Sequence, residues 1–223
     1  MLEVTGIYKK FRGKQILKGA SFTAQPGVCT GIAGGNGCGK TTLLSIVAGV
    51  SRPDSGSVRF DGREAVGNRK VFEQNAAYVP QENPIIPELT AGDNFKLWYK
   101  GDKRKMEEDL KNGVAGTLGL SDFLRTPAGR LSGGEKKRLS IASALSNHGS
   151  VLILDEPGAA LDLAAKEEIL TYIRRFTEKG GTVLLTSHEV GELALCGSLY
   201  ILKDGVLTPC DPKIKPEELI KKF

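Results

Sequence analysis

Gly34-Gly35-Asn36-Gly37-Cys38-Gly39-Lys40-Thr41-Thr42 is the stretch on which the fold turns. It matches G-x-x-x-x-G-K-[ST] at every fixed position, and it lies between an apolar run (28–33) and a segment with helical spacing (41–50). Glycines let backbone amides approach phosphate oxygens without Cβ interference, and a helix starting near Lys40 adds the positive end of its dipole. Lys40 is placed to bridge β- and γ-phosphates, and the Thr41 hydroxyl to ligate Mg²⁺. A glycine-rich strand-to-helix turn explains the glycines but not a lysine and a hydroxyl at the helix start. The stretch therefore reads as a nucleoside-triphosphate site. Cys38 stands inside it, near a helix end that lowers thiol pKa; a small residue tolerated at that point is the alternative.

Working outward, residues 151–154 (Val-Leu-Ile-Leu) and 182–185 (Thr-Val-Leu-Leu) are continuously apolar rather than alternating. Strands covered on both faces read this way, so a parallel sheet flanked by helices is expected, with ligands at the carboxyl ends of its strands. Those ends carry Gly34, Asp155-Glu156 and Ser187-His188. Short strands are expected at 2–8, 14–24 and 76–79, with a hairpin over 57–65 turning at Asp61-Gly62. Between about 90 and 147 the pattern changes: helices are expected at 93–99, 105–116 and 135–145, as a helical insertion. The last third returns to α/β, with a helix at 164–178, a hairpin turning at Asp204-Gly205, and a charged helical tail from Pro216.

Composition bounds the alternatives. The chain has 223 residues, 40% hydrophobic and 26% charged, which excludes a disordered or fibrous protein. No run approaches the ~20 apolar residues of a membrane-spanning helix, and the charged, strand-like opening Met-Leu-Glu-Val-Thr-Gly-Ile-Tyr-Lys-Lys-Phe is unlike a secretory signal. Lys and Arg total 31 against 26 acidic residues, a net charge of +5 that is dispersed rather than striped; it fits a solvated basic surface about as well as a polyanion partner and decides little, and no nucleic-acid partner is expected. Cys29, Cys38, Cys196 and Cys210 contain no CxxC pair and are expected as free thiols.

Three further constellations carry chemistry. Asp155 and Glu156 end an apolar strand; such an aspartate holds Mg²⁺, and the next carboxylate is placed to orient or deprotonate an attacking water. His188 ends a strand expected beside that of Asp155, so its ring can face the γ-phosphate, whereas His148 is read as structural. Ser132 and Glu135 form a capping box. That box does not explain Gly133 and Gly134, each costing ~0.5–1 kcal/mol in a helix relative to Ala. Nor does it explain why Lys136, Lys137 and Arg138 crowd the positive end of a helix, which is unfavourable unless a negative group lies nearby. The segment reads as a second phosphate-binding surface.

In this order, the loop 34–42, Gln81 in Tyr78-Val79-Pro80-Gln81, Leu131-Ser132-Gly133-Gly134-Glu135, the strand 151–156, Ala160-Leu161-Asp162 and His188 resemble the motifs of ATP-binding cassette (ABC) ATPases over nearly the whole chain. The resemblance implies an α/β P-loop NTPase with a mostly parallel central sheet, an N-terminal antiparallel β subdomain and an inserted α-helical signature subdomain. It also implies one domain over 1–223, with 1–89 and 148–223 as catalytic core and about 90–147 as the helical part. Phe11 then corresponds to the aromatic stacking on adenine, with Tyr8 as competitor. Gln81 corresponds to the loop glutamine that senses γ-phosphate and Mg²⁺, and Glu156 to the catalytic glutamate. Asp162 matches the interface aspartate, while Ser132, Gly133 and Gly134 match the signature that binds ATP held by an opposite subunit. Gly158, where Thr or Ser is usual, and Ser143, where Arg is common, depart from the pattern.

The implied function is an ATP-hydrolysing subunit of a membrane transporter with ATP and Mg²⁺ as cofactors. It would act as a homodimer or paired with a second ABC subunit, on the cytoplasmic face of the membrane through transmembrane permease subunits. A soluble ABC ATPase not coupled to transport is the alternative.

Overall fold

The computed structural model describes residues 1–99, 102–146 and 149–222. His148 and the 147/148 subdomain boundary expected from sequence lie outside the described residues. The chain opens with strands β1 (Leu2–Phe11), β2 (Lys14–Ala24) and β3 (Cys29–Ala33), then helix α1 (Lys40–Val47). Strands β4 (Ser55–Phe60) and β5 (Arg63–Glu64), helix α2 (Arg69–Asn75) and strand β6 (Ala76–Val79) follow. The middle holds α3 (Ala91–Trp98), α4 (Met106–Asn112), α5 (Val114–Thr117) and α6 (Gly133–Leu145). The last third runs β7 (Val151–Asp155), α7 (Leu163–Glu178), β8 (Thr182–Ser187), α8 (Val190–Leu193), β9 (Ser198–Lys203), β10 (Val206–Cys210) and α9 (Pro216–Ile220).

Two sheets organise these elements. An antiparallel sheet in the order β2-β1-β4-β5 is built from the N-terminal strands. A six-stranded sheet in the order β10-β9-β3-β8-β7-β6 is parallel except for its edge strand β10. The apolar strands behave as two-faced layers. In β7, Leu152 and Leu154 join the core beneath α6 and α7, while Val151 and Ile153 face the core shared with α1 and the antiparallel sheet. Leu184 and Val183 in β8 divide the same way, as the period-two pleat requires. The parallel register brings Asp155 opposite Thr186 and Ala33 opposite Ser187, so β3, β7 and β8 end together at one edge.

Several boundaries differ from expectation for local reasons. Helix α1 ends at Val47 rather than near Pro53 because Gly49 takes φ 74°, a left-handed cap in which its N–H bonds Ile46 O. The helix expected over 105–116 is broken at Gly113, where the backbone is extended and a Cβ would lie 2.7 Å from Asp109 O. Helices α2 and α8 lack a long amphipathic period and were not expected. Between Thr90 and Ser146 the described residues contain no strand beyond an isolated bridge from Thr90 to Pro127.

Candidate functional site

The loop 34–39 wraps a hollow of about 640 Å³ at the carboxyl edge of the parallel sheet. Phe11, Asn36, Gly37, Gly39, Lys40, Thr41, Thr42, Gln81, Glu156 and His188 all line it, although they come from five separate stretches of chain. Phe11 is half exposed at its mouth. Tyr8, the competing aromatic, instead lies over Gly19, whose Cβ would meet the phenol oxygen at 2.9 Å. Gly39 shows why the loop is glycine-rich: at φ 112° it caps α1, and a Cβ there would press to 2.9 Å against Ile16. Gly34 is pinned equally, 2.4 Å being all that separates a Cβ from Leu202 O. Nothing from a side chain caps α1, so its first amides remain available as donors. Lys40 Nζ is buried and donates to Gly34 O (2.8 Å) and Gly35 O (3.2 Å), bending back over the loop. Cys38 differs from its neighbours. Its side chain lines an adjoining hollow with Lys14, Lys18 and Leu202, not the one containing Lys40.

Three side chains converge on the Glu156 carboxylate. Its Oε1 lies 3.5 Å from Lys40 Nζ and 3.7 Å from His188 Nδ1, and its Oε2 accepts from Gln81 Nε2 at 3.4 Å. The backbone at Glu156 is left-handed, φ 45°, a conformation non-glycine residues seldom adopt and one concentrated at functional sites. It is held there by its N–H, which donates to both Thr186 O and Thr186 Oγ1 at 3.1 Å. Thr186 Oγ1 in turn donates to Asp155 Oδ1 at 2.6 Å. Asp155 is 1% exposed, and its Oδ2 has no partner among the described residues. A buried carboxylate oxygen left without a donor suits a cation. Thr41 and Gln81 line the hollow and Asp155 lies buried beside Glu156, outside the lining itself; this donor set fits Mg²⁺, which needs few protein ligands beside phosphate oxygens and water.

Ser132, Gly133 and Gly134 do not line this hollow. The capping box is complete: Glu135 N–H donates to Ser132 Oγ (3.2 Å) and Ser132 N–H to Glu135 Oε2 (2.8 Å). The two glycines have a packing role that the sequence does not reveal. A Cβ on Gly134 would stand 2.7 Å from Ala165 Cβ at the start of α7, and one on Gly133 3.2 Å from Leu161 Cδ2. The Lys-Lys-Arg run is also corrected. Lys137 is 1% exposed and turned inward, its Nζ reaching Pro80 O (3.4 Å) and Gln81 O (3.3 Å). Arg138 lies over the Phe123 ring and pairs with Glu168 at 3.6 Å. Two of the three charges therefore answer to groups within this chain.

Residues 17–159, well over half of the chain, match the family model of the ABC transporter. The chain belongs to the ABC transporter family. It is 34% identical to the lipoprotein-releasing system ATP-binding protein LolD of Porphyromonas gingivalis, across 93% of this chain and 98% of that protein. It is 35% identical to the ribose import ATP-binding protein RbsA of Shouchella clausii, across 99% of this chain but only 47% of that one. Among solved structures, a dimeric ATP-binding cassette in a post-hydrolysis state bound to ADP and Pi superposes with TM-score 0.82 at 26% identity, covering 96% of this chain and all of that one. Family membership makes this chain a nucleotide-binding ATPase subunit of a transport system.

In this ABC cassette the residues that sequence reading missed are those that act through others. Thr186, which fixes both carboxylates, is a strand residue with no motif of its own. Glu192 on α8 is buried beneath Gly158; burial pushes its carboxyl above the ordinary range, against hydrogen bonds from Ser187 and the Gly158 amide. A Cβ at 158 would lie 2.1 Å from Glu192 Oε1, which accounts for glycine where the family usually has a hydroxyl. Asp162 caps α7 by accepting from Ala165 N–H at 2.8 Å. Burial lowers the Lys137 ammonium to about 8, opposed by the charges of Asp155 and Glu192. All four cysteines are free, and Cys29 and Cys196, 167 residues apart, meet with sulfurs at 3.7 Å.

Proposed function

We propose that two copies of this chain, or this chain and a second ABC subunit, sandwich ATP head to tail and hydrolyse it to drive a membrane transporter. One observation carries the reading: the phosphate-facing groups gather on one hollow, while the exposed Ser132 and Gly133 at the start of α6 lie outside it. A half-site of this kind is completed by a two-fold partner, so nucleotide acts as glue between isologous surfaces. Lys40 and the α1 amides hold the β- and γ-phosphates, Phe11 stacks on the base, and the signature residues Ser132, Gly133 and Gly134 approach the γ-phosphate from the other copy. Thr41, Asp155 and Gln81 would hold Mg²⁺, which when bound would supply positive charge against the developing charge of the phosphoryl group. Glu156 accepts the proton of the attacking water, while Gln81 and His188, both within reach of its oxygens, orient it.

No described helix is long and apolar enough to cross a membrane; in the proposed assembly, permease subunits supply the membrane-spanning path. A groove of about 300 Å³ between the core and the helical middle is lined by Tyr78, Pro80, Ile85 and Trp98, with Val50 at its edge. Val50, Ile86, Leu97 and Trp98 expose large apolar surface in this region. It adjoins the Gln81 loop and is the surface on which a cytoplasmic segment of the permease docks, placing the cassette at the inner face of the membrane. The test is Glu156→Gln: nucleotide binding survives, chemistry stops, and an ATP-dependent dimer accumulates on a sizing column. A variant that stays monomeric with saturating ATP, in parallel with a wild type whose turnover is first order in protein, overturns the sandwich.

A further inference from the structure

A lysine on the inward stripe of a helix is an anomaly. Lys137 lies three residues after Gly134 and four before Ile141, all buried, so its ammonium is carried into a layer that is otherwise apolar. Its two acceptors are 3.3 and 3.4 Å away, longer than the 2.7–3.2 Å of a well-made N–H···O bond. The negative groups facing it are Asp155, ending β7, and Glu192, on α8. Neither forms a close ion pair with it among the described residues. As a stability device this is poor, since an apolar side chain of similar length would fill the space without the cost of burying a charge. What distinguishes the position is which carbonyls it touches: they belong to Pro80 and Gln81, the backbone of the loop whose side chain reaches Glu156.

We propose that Lys137 is a positioning residue that fixes the Gln81 loop in the register at which Gln81 meets Glu156. The inference rests on the roles assigned above to those two residues. The connection is continuous within one chain. The Ser132 cap and the first turn of α6 form one rigid unit with Lys137. Its Nζ holds the Gln81 backbone, and Gln81 Nε2 holds Glu156 Oε2. A displacement of the helix start, where the opposite copy's nucleotide binds, is therefore transmitted to the group that orients water. Lys137 touches no substrate; it acts through Gln81.

The test is a double-mutant cycle on the full-length chain, reading turnover, KM for ATP and affinity for a non-hydrolysed ATP analogue. Lys137→Met is expected to bind the analogue within about twofold of the parent and to lower kcat about tenfold at unchanged KM, the pattern of a group lost from the transition state. Lys137→Gln, which keeps one donor, should recover part of that loss. The decisive reading is coupling: Gln81→Ala/Lys137→Met should turn over no more slowly than Gln81→Ala alone. Multiplying effects, or parent-like turnover in Lys137→Met, overturn the inference while leaving the ATPase reading intact. Parent-like turnover in Gln81→Ala overturns both. Should Lys137→Met fail to fold, Lys137→Gln carries the same cycle, with coupling to Gln81→Ala again required.

Discussion

Replacing Gly134 by alanine places a methyl 2.7 Å from Ala165 Cβ, a contact that neither partner can relieve by rotating, since both carbons are fixed to helical backbone. Ordinary contact starts near 3.4 Å, so the first turn of α6 must withdraw from α7 by about 0.7 Å. Overpacking of this kind costs about 1–3 kcal/mol. Alanine in a helix returns about 1 kcal/mol relative to glycine. The net expectation is a loss of about 0–2 kcal/mol, or a melting temperature several degrees lower for a chain of this size. Gly133→Ala is the internal control. Its methyl meets Leu161 Cδ2, the tip of a rotatable side chain, at 3.2 Å and Ala160 O at an ordinary 3.4 Å, so propensity prevails and stability holds or rises. Thermal unfolding without nucleotide, followed by circular dichroism, separates the two. If Gly134→Ala melts at or above Gly133→Ala, the glycine at 134 is not there for helix packing. Turnover adds a second axis. Gly133→Ala is expected to lose ATPase activity with no loss of stability, because in the proposed sandwich this exposed residue meets the opposite copy's phosphate.

Lys40→Ala removes the ammonium that spans Gly34 O, Gly35 O and Glu156, and should abolish measurable nucleotide binding in calorimetry; parent-like affinity would refute the phosphate assignment. Glu135 is held below its ordinary 4.5, chiefly by the Ser132 amide, so its contribution to stability is present above that value and lost as pH falls through the lowered one. Glu135→Gln keeps the capping box without the titration, and its melting temperature should fall less steeply between neutral pH and pH 3; an identical slope would remove Glu135 as the cause. Trp98→Glu puts a charge into the apolar groove and should leave basal ATPase of the isolated chain intact while abolishing co-purification with a membrane partner; retained co-purification would move the docking surface elsewhere.

The parallel sheet and the phosphate hollow were legible because their signals are local. Val151–Asp155 announces a two-faced strand by composition alone, and residues 34–42 carry their chemistry in consecutive positions. Reading Lys136-Lys137-Arg138 as a charge cluster failed because helical periodicity sends adjacent residues in different directions: Lys137 turns under the Gln81 loop and Arg138 over Phe123. The glycines at 133 and 134 looked as if only a ligand could require them, until α7 proved to lie against Gly134 and the turn before it, at Ala160 and Leu161, against Gly133. Thr186, Glu192 and the Cys29–Cys196 contact were invisible for one reason: each depends on which strands become neighbours, and no short stretch of sequence states that.

The carboxylate wedged under residue 158 also constrains how this chain can diverge. A hydroxyl-bearing side chain cannot enter at 158 while Glu192 keeps its place, because the first carbon of any such side chain would stand 2.1 Å from its Oε1. Substitution must therefore begin at the buried partner and only afterwards reach the loop. Reversing the order forces the Glu192 carboxyl off its hydrogen-bond donors, Ser187 and the Gly158 amide.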